Sequence, residues 1–237
     1  LNPNGAKSKW TTIKKFIRDT QSAVITMQET KCTQPGLINL DGYYTYEHVR
    51  SNKEGGGIAI SALKQQQPAF VSNGGEEAEA LTIDIHVQKM AITITTAYGP
   101  QESSNCETKK SFWKYLQDEA HRANTYGNGF ILQGDLNSWL GPHLLPGDLH
   151  SQNRNGKYFS EFLSENQLTC VNTLPITQGL ITRSRKCLNE VKQSTIDFYV
   201  VCQRVLPFVL SMNIYDGKKH ILTDFNNTDK EGKAVHS

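Results

Sequence analysis

Gly129-Phe130-Ile131-Leu132-Gln133-Gly134-Asp135-Leu136-Asn137-Ser138 is the stretch on which the reading of this chain turns. Its apolar run, with Gln133, predicts a buried strand that stops at a glycine. Asp135 and Asn137 follow at once, two positions apart, so on an extended backbone both side chains point the same way. A carboxylate and an amide at the end of a buried strand suit groups that must meet a ligand in fixed geometry. A lone Gly-Asp-x-Asn reads as an Asx-type turn closing a strand. The segments around it decide between the two.

Before it, Cys106 to Ala123 predicts a helix with Phe112, Leu116 and Ala120 inward and Lys109, Lys110 and Lys114 exposed. Leu81, Ile83, Ile85 and Val87 alternate with Thr82, Asp84 and His86, and Met90, Ile92 and Ile94 repeat the pattern after Gln88-Lys89. Two half-buried antiparallel strands joined by a tight turn account for this, the second running into Ala97-Tyr98-Gly99-Pro100. Earlier still, Gly42 to Tyr46 and Gly57 to Ile60 read as strands around the polar turn Ser51 to Gly57. Its glycines lack the strand-to-helix setting of a nucleotide-binding loop, which leaves a hairpin. Near the start, Leu1 to Gly5 reads as the tail of a strand and a turn. A helix follows with Trp10, Ile13 and Ile17 on one face and Lys9, Lys14, Lys15 and Arg18 around it. Ala23 to Met27 is a short buried-type strand ending in Gln28-Glu29-Thr30-Lys31, again a carboxylate at a strand end.

Beyond Ser138, Asn155-Gly156 reads as a turn, Phe159, Phe162 and Leu163 as a short helix, and Leu168 to Asn172 as a strand. Gly179 to Arg183 leads through a polar loop to a strand from Ser194 to Val201, which Asp197 interrupts. A carboxylate there is costly to bury alone and calls for a partner. Leu206 to Tyr215 reads as the last strand, and Gly217 to Ser237 as polar loop.

The 237 residues, 37% hydrophobic and 20% charged, describe an ordinary soluble protein with length for a substantial core. No apolar run approaches membrane-spanning length, and the first residues lack a signal-peptide layout. A net charge of +2 neither demands nor forbids a polyanionic partner. The five cysteines are widely spaced, form no CxxC pair and read as free thiols of a reducing compartment, so structural zinc is not expected. Without repeats, a linker or a composition break, the pattern gives two packed sheets flanked by helices in one domain.

Asn2-x-x-Gly5, Gln28-Glu29-Thr30, Tyr98-Gly99-Pro100, Gly134-Asp135-Leu136-Asn137 and Ser194-x-Ile196-Asp197 occur in that order. The series resembles the endonuclease/exonuclease/phosphatase superfamily, the DNase I-like fold. Within it the chain is similar to the apurinic-type endonuclease domain of LINE-type (non-LTR) retrotransposons, in its Gln28 to Lys31 and Ala97 to Gln101 wording and its hairpin from Gly55 to Ile60. The resemblance implies a four-layer α/β sandwich, two packed mixed β-sheets flanked by helices, over one domain at 1–237 that both ends cut short. It implies a Mg2+-dependent DNA endonuclease, with Mn2+ as an alternative ion, that nicks double-stranded target DNA to prime reverse transcription. Glu29 would bind the metal, with Asn2 beside it. Tyr98 and Asn137 would donate hydrogen bonds to the scissile phosphate. Asp135 would deprotonate the attacking water, and Asp197 would hold a histidine. The parent protein would carry a reverse transcriptase and act inside the cell, in the nucleus, without membrane or lipid partners.

Each residue also has a structural reading: Glu29 solvated, Tyr98 capping the core edge, Asn2 a turn former, Asp197 paired with Arg183 or Arg185. One departure stands out. The family ends on Ser-Asp-His, and this chain contains no Asp-His pair. The expected explanation is a cut at Ser237, with His220 as a substitute or loss of activity as the alternatives. Rival functions are a repair-type apurinic endonuclease and a catalytically silent DNA-binding remnant. Arg50 to Glu54, Thr182 to Arg185 and the tail after Tyr215 are the expected target-reading segments.

Overall fold

Two sheets stacked face to face, with helices outside both, carry the chain. The computed structural model describes residues 1–50, 56–75, 78–187, 190–215 and 235–236, with backbone alone at 185–187, 190 and 235–236. In chain order the elements are α1 (Trp10–Thr20), β1 (Val24–Met27), β2 (Tyr43–His48), β3 (Ile58–Leu63), β4 (Ala69–Asn73), β5 (Ala80–Val87) and β6 (Met90–Tyr98). There follow α2 (Cys106–Thr125), β7 (Gly129–Asp135), α3 (Arg154–Glu165), β8 (Leu168–Cys170) and β9 (Thr177–Gln178). The last are β10 (Arg183–Cys187), β11 (Glu190–Ser194), β12 (Asp197–Cys202), β13 (Met212–Asn213) and β14 (Val235–His236). A small sheet has the order β1-β3-β2 and a large one β4-β5-β6-β7-β12-β8.

Three cores hold four layers together. Ile13 and Ile17 of α1 pack on Ile25, Met27 and Ala59 of the small sheet. The inner face of that sheet, with Ile58 and Ile60, meets Leu81, Ile83, Ile94, Ile131 and Val201 of the large one. On its far face Phe130, Leu132, Phe198 and Val200 receive Phe112, Trp113 and Leu116 of α2 and Phe159 and Phe162 of α3. Buried on both sides, β7 needs its continuous apolar run, and the four-layer α/β sandwich follows. No helix of the described residues is long and apolar enough to cross a membrane.

The β5–β6 hairpin forms in the expected register, with Val87 opposite Met90, but its polar face is not solvated. Thr82, Thr93 and Thr95 are fully buried, because α2 covers them, and Thr96, on the other face, is buried against the small sheet, where it accepts from Gln28 at 2.7 Å. Their hydroxyls are satisfied there: Thr82 bonds Thr95 and the Tyr115 hydroxyl, both at 2.9 Å. Thr93 donates to Asp84 at 2.6 Å, and Arg122 grips the same carboxylate through both terminal nitrogens at 3.0 and 3.1 Å. Alternation of Thr with Ile therefore marks a sheet face covered by a polar helix face, not by water. Asp84→Ala strips Arg122 and Thr93 of an acceptor together and should cost roughly 2 kcal/mol of stability in urea melts, without affecting binding at the distant sheet end.

Five local expectations fail. Lys109 of α2 is not exposed but fully buried, its Nζ donating to Glu102 O at 2.5 Å. Leu206 to Tyr215 is not one strand: Leu206–Phe208 is a 3-10 turn with Pro at its start, and β13 alone in this stretch pairs with another strand. Asn155-Gly156 lies in the first turn of α3, which Asn153 caps by accepting from Gly156 N at 2.7 Å. The polar loop after Arg183 is the hairpin β10–β11, polar on both faces and so without a hydrophobic period to betray it. The strand from Ser194 breaks at Thr195-Ile196, where the chain leaves β11 and enters the large sheet as β12. Most of Gly217 to Ser237 and the 51–55 half of the glycine turn lie outside the described residues, although β2 and β3 do pair antiparallel on either side of that turn.

Candidate active site

Strand register brings three of the predicted residues into one row. Across parallel β6 and β7, Tyr98 stands opposite Asp135; across antiparallel β7 and β12, Asp135 stands opposite Asp197. The pleat then sets their side. Tyr98 shares the face of Ile92 and Ile94, Asp135 that of Ile131, and Asp197 that of Val201, all turned toward the small sheet. The small sheet supplies Glu29, just beyond β1, whose Oε1 accepts from the Tyr98 hydroxyl at 2.8 Å. Glu29, Tyr98, Asp135 and Asp197 thus meet where the ends of two sheets come together.

Asn137 reaches the same place by a different route from the one its spacing suggested. Its backbone is left-handed (φ 47°), not extended, and its N–H folds back onto Asp135 Oδ1 at 3.0 Å. The Asx turn and the functional grouping are therefore one structure. The Asn137 amide donates to Gly99 O at 2.8 Å, which fixes it against the loop after Tyr98. Gly99 N in turn donates to Asp135 O at 2.6 Å, and a Cβ at Gly99 would overlap the Leu136 backbone. Asn153 and Asn155, at the start of α3, both donate to Asn137 O, at 3.0 and 3.3 Å. Asn155 also ties Pro100 O at 2.5 Å, so α3 clamps both loops.

Asn2 is buried beside this group, its Oδ1 accepting from Asn4 N at 3.3 Å. With Gln28 and Asp197 it lines a cleft between the first residues and β12, and its Nδ2 has no partner among the described residues. Thr182, expected to contact a target, instead points inward: its hydroxyl accepts from the N–H groups of Ile196 and Asp197 at 3.0 and 3.1 Å. Asn172 locks the next turn of β12, donating to Asp197 O at 3.1 Å and accepting from Tyr199 N at 2.9 Å. Arg50 is turned inward as well, onto Glu79 and the face of Tyr98. Thr182, Asn153, Asn155, Asn172 and Glu79 carry no signal in a single sequence, because each acts through a main-chain group that only the fold brings near.

The electrostatics follow from this crowding. Asp135 is fully buried, and burial, with Asp197 beside it, holds its carboxyl well above the usual carboxylate range. Burial also pushes Asp197 up, to about 6, against a lowering hydrogen bond from Thr182. Asp197 Oδ2 is shut off from solvent with no hydrogen-bond partner among the described residues. Burial, then the charge of Glu29, raises the Tyr98 phenol, which stays a neutral donor at any working pH. The site is thus one fully buried acid, a second that is partly buried, a half-exposed carboxylate and two neutral donors.

For a divalent cation the donors fit in kind: Glu29 and Asn2 offer oxygens, which suit a hard ion, and Glu29 is half-exposed with one oxygen engaged by Tyr98. Among the described residues no three His, Cys, Asp or Glu side chains converge closely enough to hold an ion alone. A cation here would complete its shell with water and a phosphate, as magnesium does in phosphoryl sites.

No family model matches the chain. The structure is similar to the endonuclease domain of TRAS1, a telomere-specific non-LTR retrotransposon, with a TM-score of 0.64 over 87% of this chain and 85% of that one at 14% identity. It is similar to a 3'-5' exonuclease from Neisseria meningitidis, with a TM-score of 0.65 over 87% and 86% at 15% identity. The catalytic domain of Xenopus laevis APE2 gives 0.61 over 87% and 82% at 17% identity. In sequence, 156 residues are 24% identical to craniofacial development protein 2 of Bos taurus, covering 64% of this chain and 26% of that protein. The chain thus matches about a quarter of that relative's length. The fold is DNase I-like.

Proposed function

We propose that this DNase I-like chain is a metal-dependent phosphodiesterase, the target-nicking endonuclease of a non-LTR retrotransposon. The observation that carries the proposal is the row Tyr98–Asp135–Asp197 across three neighbouring strands, closed by Glu29 from the facing sheet. The likeness to the TRAS1 endonuclease domain supports the choice of nuclease class.

Glu29, with Asn2 nearby, would hold Mg2+ or Mn2+, which neutralises charge growing on a phosphate and its leaving oxygen. The remaining chemistry belongs to the side chains. Asp135, with a raised proton affinity, takes the proton of a water placed against the phosphorus. Asn137 has its amide fixed by Gly99 O and its backbone by Asp135, which would let its second N–H donate to a phosphate oxygen without reorganisation. Tyr98, its ring held in place, donates its hydroxyl proton to the same phosphate instead of to Glu29. Asp197, whose buried Oδ2 has no partner among the described residues, orients a proton-bearing partner; His220 lies outside the described residues, and the backbone of His236 lies opposite Arg183 on β10. In the parent protein the nick would supply the primer end for a fused reverse transcriptase, on double-stranded DNA in the nucleus.

Supercoiled plasmid should relax to open circles with Mg2+ and stay supercoiled with a chelator. An oligonucleotide duplex with one abasic site separates the repair-type reading. Cutting there far faster than in intact duplex would make the protein a repair enzyme. Salt-sensitive DNA binding with no cutting would make it a silent remnant.

A further inference from the structure

Arg50, two residues beyond β2, opens the segment whose composition points to a DNA backbone. It is used inside the protein. Its Nε donates to Glu79 Oε2 at 2.9 Å, and its Nη2 reaches the same oxygen. The other Glu79 oxygen takes the N–H of Gly57. The Glu79 side chain is 8% exposed and that of Arg50 32%, so the acid is largely out of water and the guanidinium partly so. The guanidinium carbon lies 6.0 Å from the centre of the Tyr98 ring, within cation–π range, and Glu79 O accepts from Tyr98 N at 2.8 Å. Tyr98 is held by this pair through its backbone and through its ring.

The same pair supports the residue that Tyr98 bonds. Gly56 has φ +69°, and a Cβ there would strike the Arg50 guanidinium and Glu79 Oε1. Gly56 O and Gly57 O accept from Lys31 N and Thr30 N at 2.8 and 3.0 Å, directly after Glu29. The glycines let the backbone pass between the ion pair and the end of β1.

We infer that Arg50, held by Glu79, is a positioning residue that fixes the Tyr98 ring and so the direction of its hydroxyl. The inference rests on the reading of Tyr98 as a phosphate donor. The ring torsion of a tyrosine is broad and intrinsically unselective, so a fixed hydroxyl direction must come from packing on the ring face. A planar guanidinium can bond Glu79 and cover that face together. A lysine ammonium, a point charge on a flexible stem, cannot do both.

The test compares wild type, Arg50→Met, Arg50→Lys, Tyr98→Phe and the Arg50→Met/Tyr98→Phe double variant in plasmid nicking with Mg2+. It adds 19F spectra of the metal-free proteins with fluorotyrosine at position 98. Arg50→Met should lower kcat about 20-fold with KM within about twofold, and cost no more than about twofold in the Tyr98→Phe background. Arg50→Lys should recover only a minor part of the loss. Both Arg50 variants should move the fluorotyrosine resonance. Because Arg50→Met leaves Glu79 buried and unpaired, Arg50→Met/Glu79→Gln provides a folded second variant, which should be as slow as Arg50→Met. Equal losses in the wild-type and Tyr98→Phe backgrounds, or a stationary 19F resonance, would overturn the inference. A wild type that nicks nothing would instead sink the proposed function, and the 19F arm would still decide on Arg50.

Discussion

Asp135→Asn is expected to slow phosphodiester cleavage by about a thousandfold while making the protein more stable at pH 8. Removing a general base typically costs 10²- to 10⁴-fold. Asparagine keeps the shape and can still accept from Asn137 N through its carbonyl oxygen. The stability gain has the opposite cause. Burial, with Asp197 beside it, raises the Asp135 pKa above its unfolded value, so the folded protein binds the proton more tightly than the unfolded chain. That contribution is fully present below the unfolded pKa and is lost as pH rises through the folded one. At pH 8 the wild type has therefore lost stability that the amide, which does not titrate, keeps, and the variant should melt higher. At pH 3, where both forms are neutral, the melting temperatures should agree. Nicking assays and thermal melts at the two pH values check both halves; a variant within tenfold of wild-type rate would remove Asp135 from the chemistry.

Asp197→Asn carries the second large effect, with a pH window that can be stated. Its carboxyl is raised from 3.8 to about 6, so its penalty develops between about pH 4 and pH 6 and is complete at pH 8. At one pKa unit per about 1.4 kcal/mol, the variant should gain on the order of 3 kcal/mol at pH 8 and nothing at pH 3. Part of the Asp197 carboxylate is also uncompensated, since Oδ2 has no partner among the described residues. Activity should fall about a hundredfold, through loss of the group that orients a proton-bearing partner. Urea melts at pH 3, 6 and 8 follow the first effect. A variant less stable than wild type at pH 8 would mean that Asp197 sits in a compensating ion pair after all.

A site whose acids destabilise the fold at working pH explains why the surrounding residues are so heavily committed. Thr182, Asn172, Asn153 and Asn155 each spend side-chain hydrogen bonds on main-chain groups of Asp197 or Asn137. These contacts hold in place what charge repulsion and desolvation would otherwise loosen.

The sheet sandwich was legible because its signals are periodic: the twin alternations of β5 and β6, the apolar run of β7, and the α1 face of Ile13 and Ile17. The ordered motifs singled out Glu29, Tyr98, Asp135, Asn137 and Asp197, and the register of β6, β7 and β12 brings the residues of those three strands side by side. What stayed hidden has a physical reason in each case. The β10–β11 hairpin is polar on both faces, so it has no period. Asn155-Gly156 has turn composition, yet Asn153 caps a helix there. Arg50 looks like a phosphate contact until Glu79, 29 residues away in sequence, is found beside it. The direction of Asn137 does not follow from its spacing, because left-handed backbone at that residue cancels the two-residue period.

Cleavage of a defined DNA duplex in 18O-labelled water, with and without Mg2+, tests the joint action of these side chains most directly. The structure-based expectation is one label in the terminal phosphate of the phosphate-bearing product and none in the hydroxyl-ended one, only with the metal present, and none detectable with Asp135→Asn over the same time. Cleavage that leaves the phosphate unlabelled, or that proceeds at the wild-type rate in the Asp135 variant, would contradict a water-activating centre at this sheet edge.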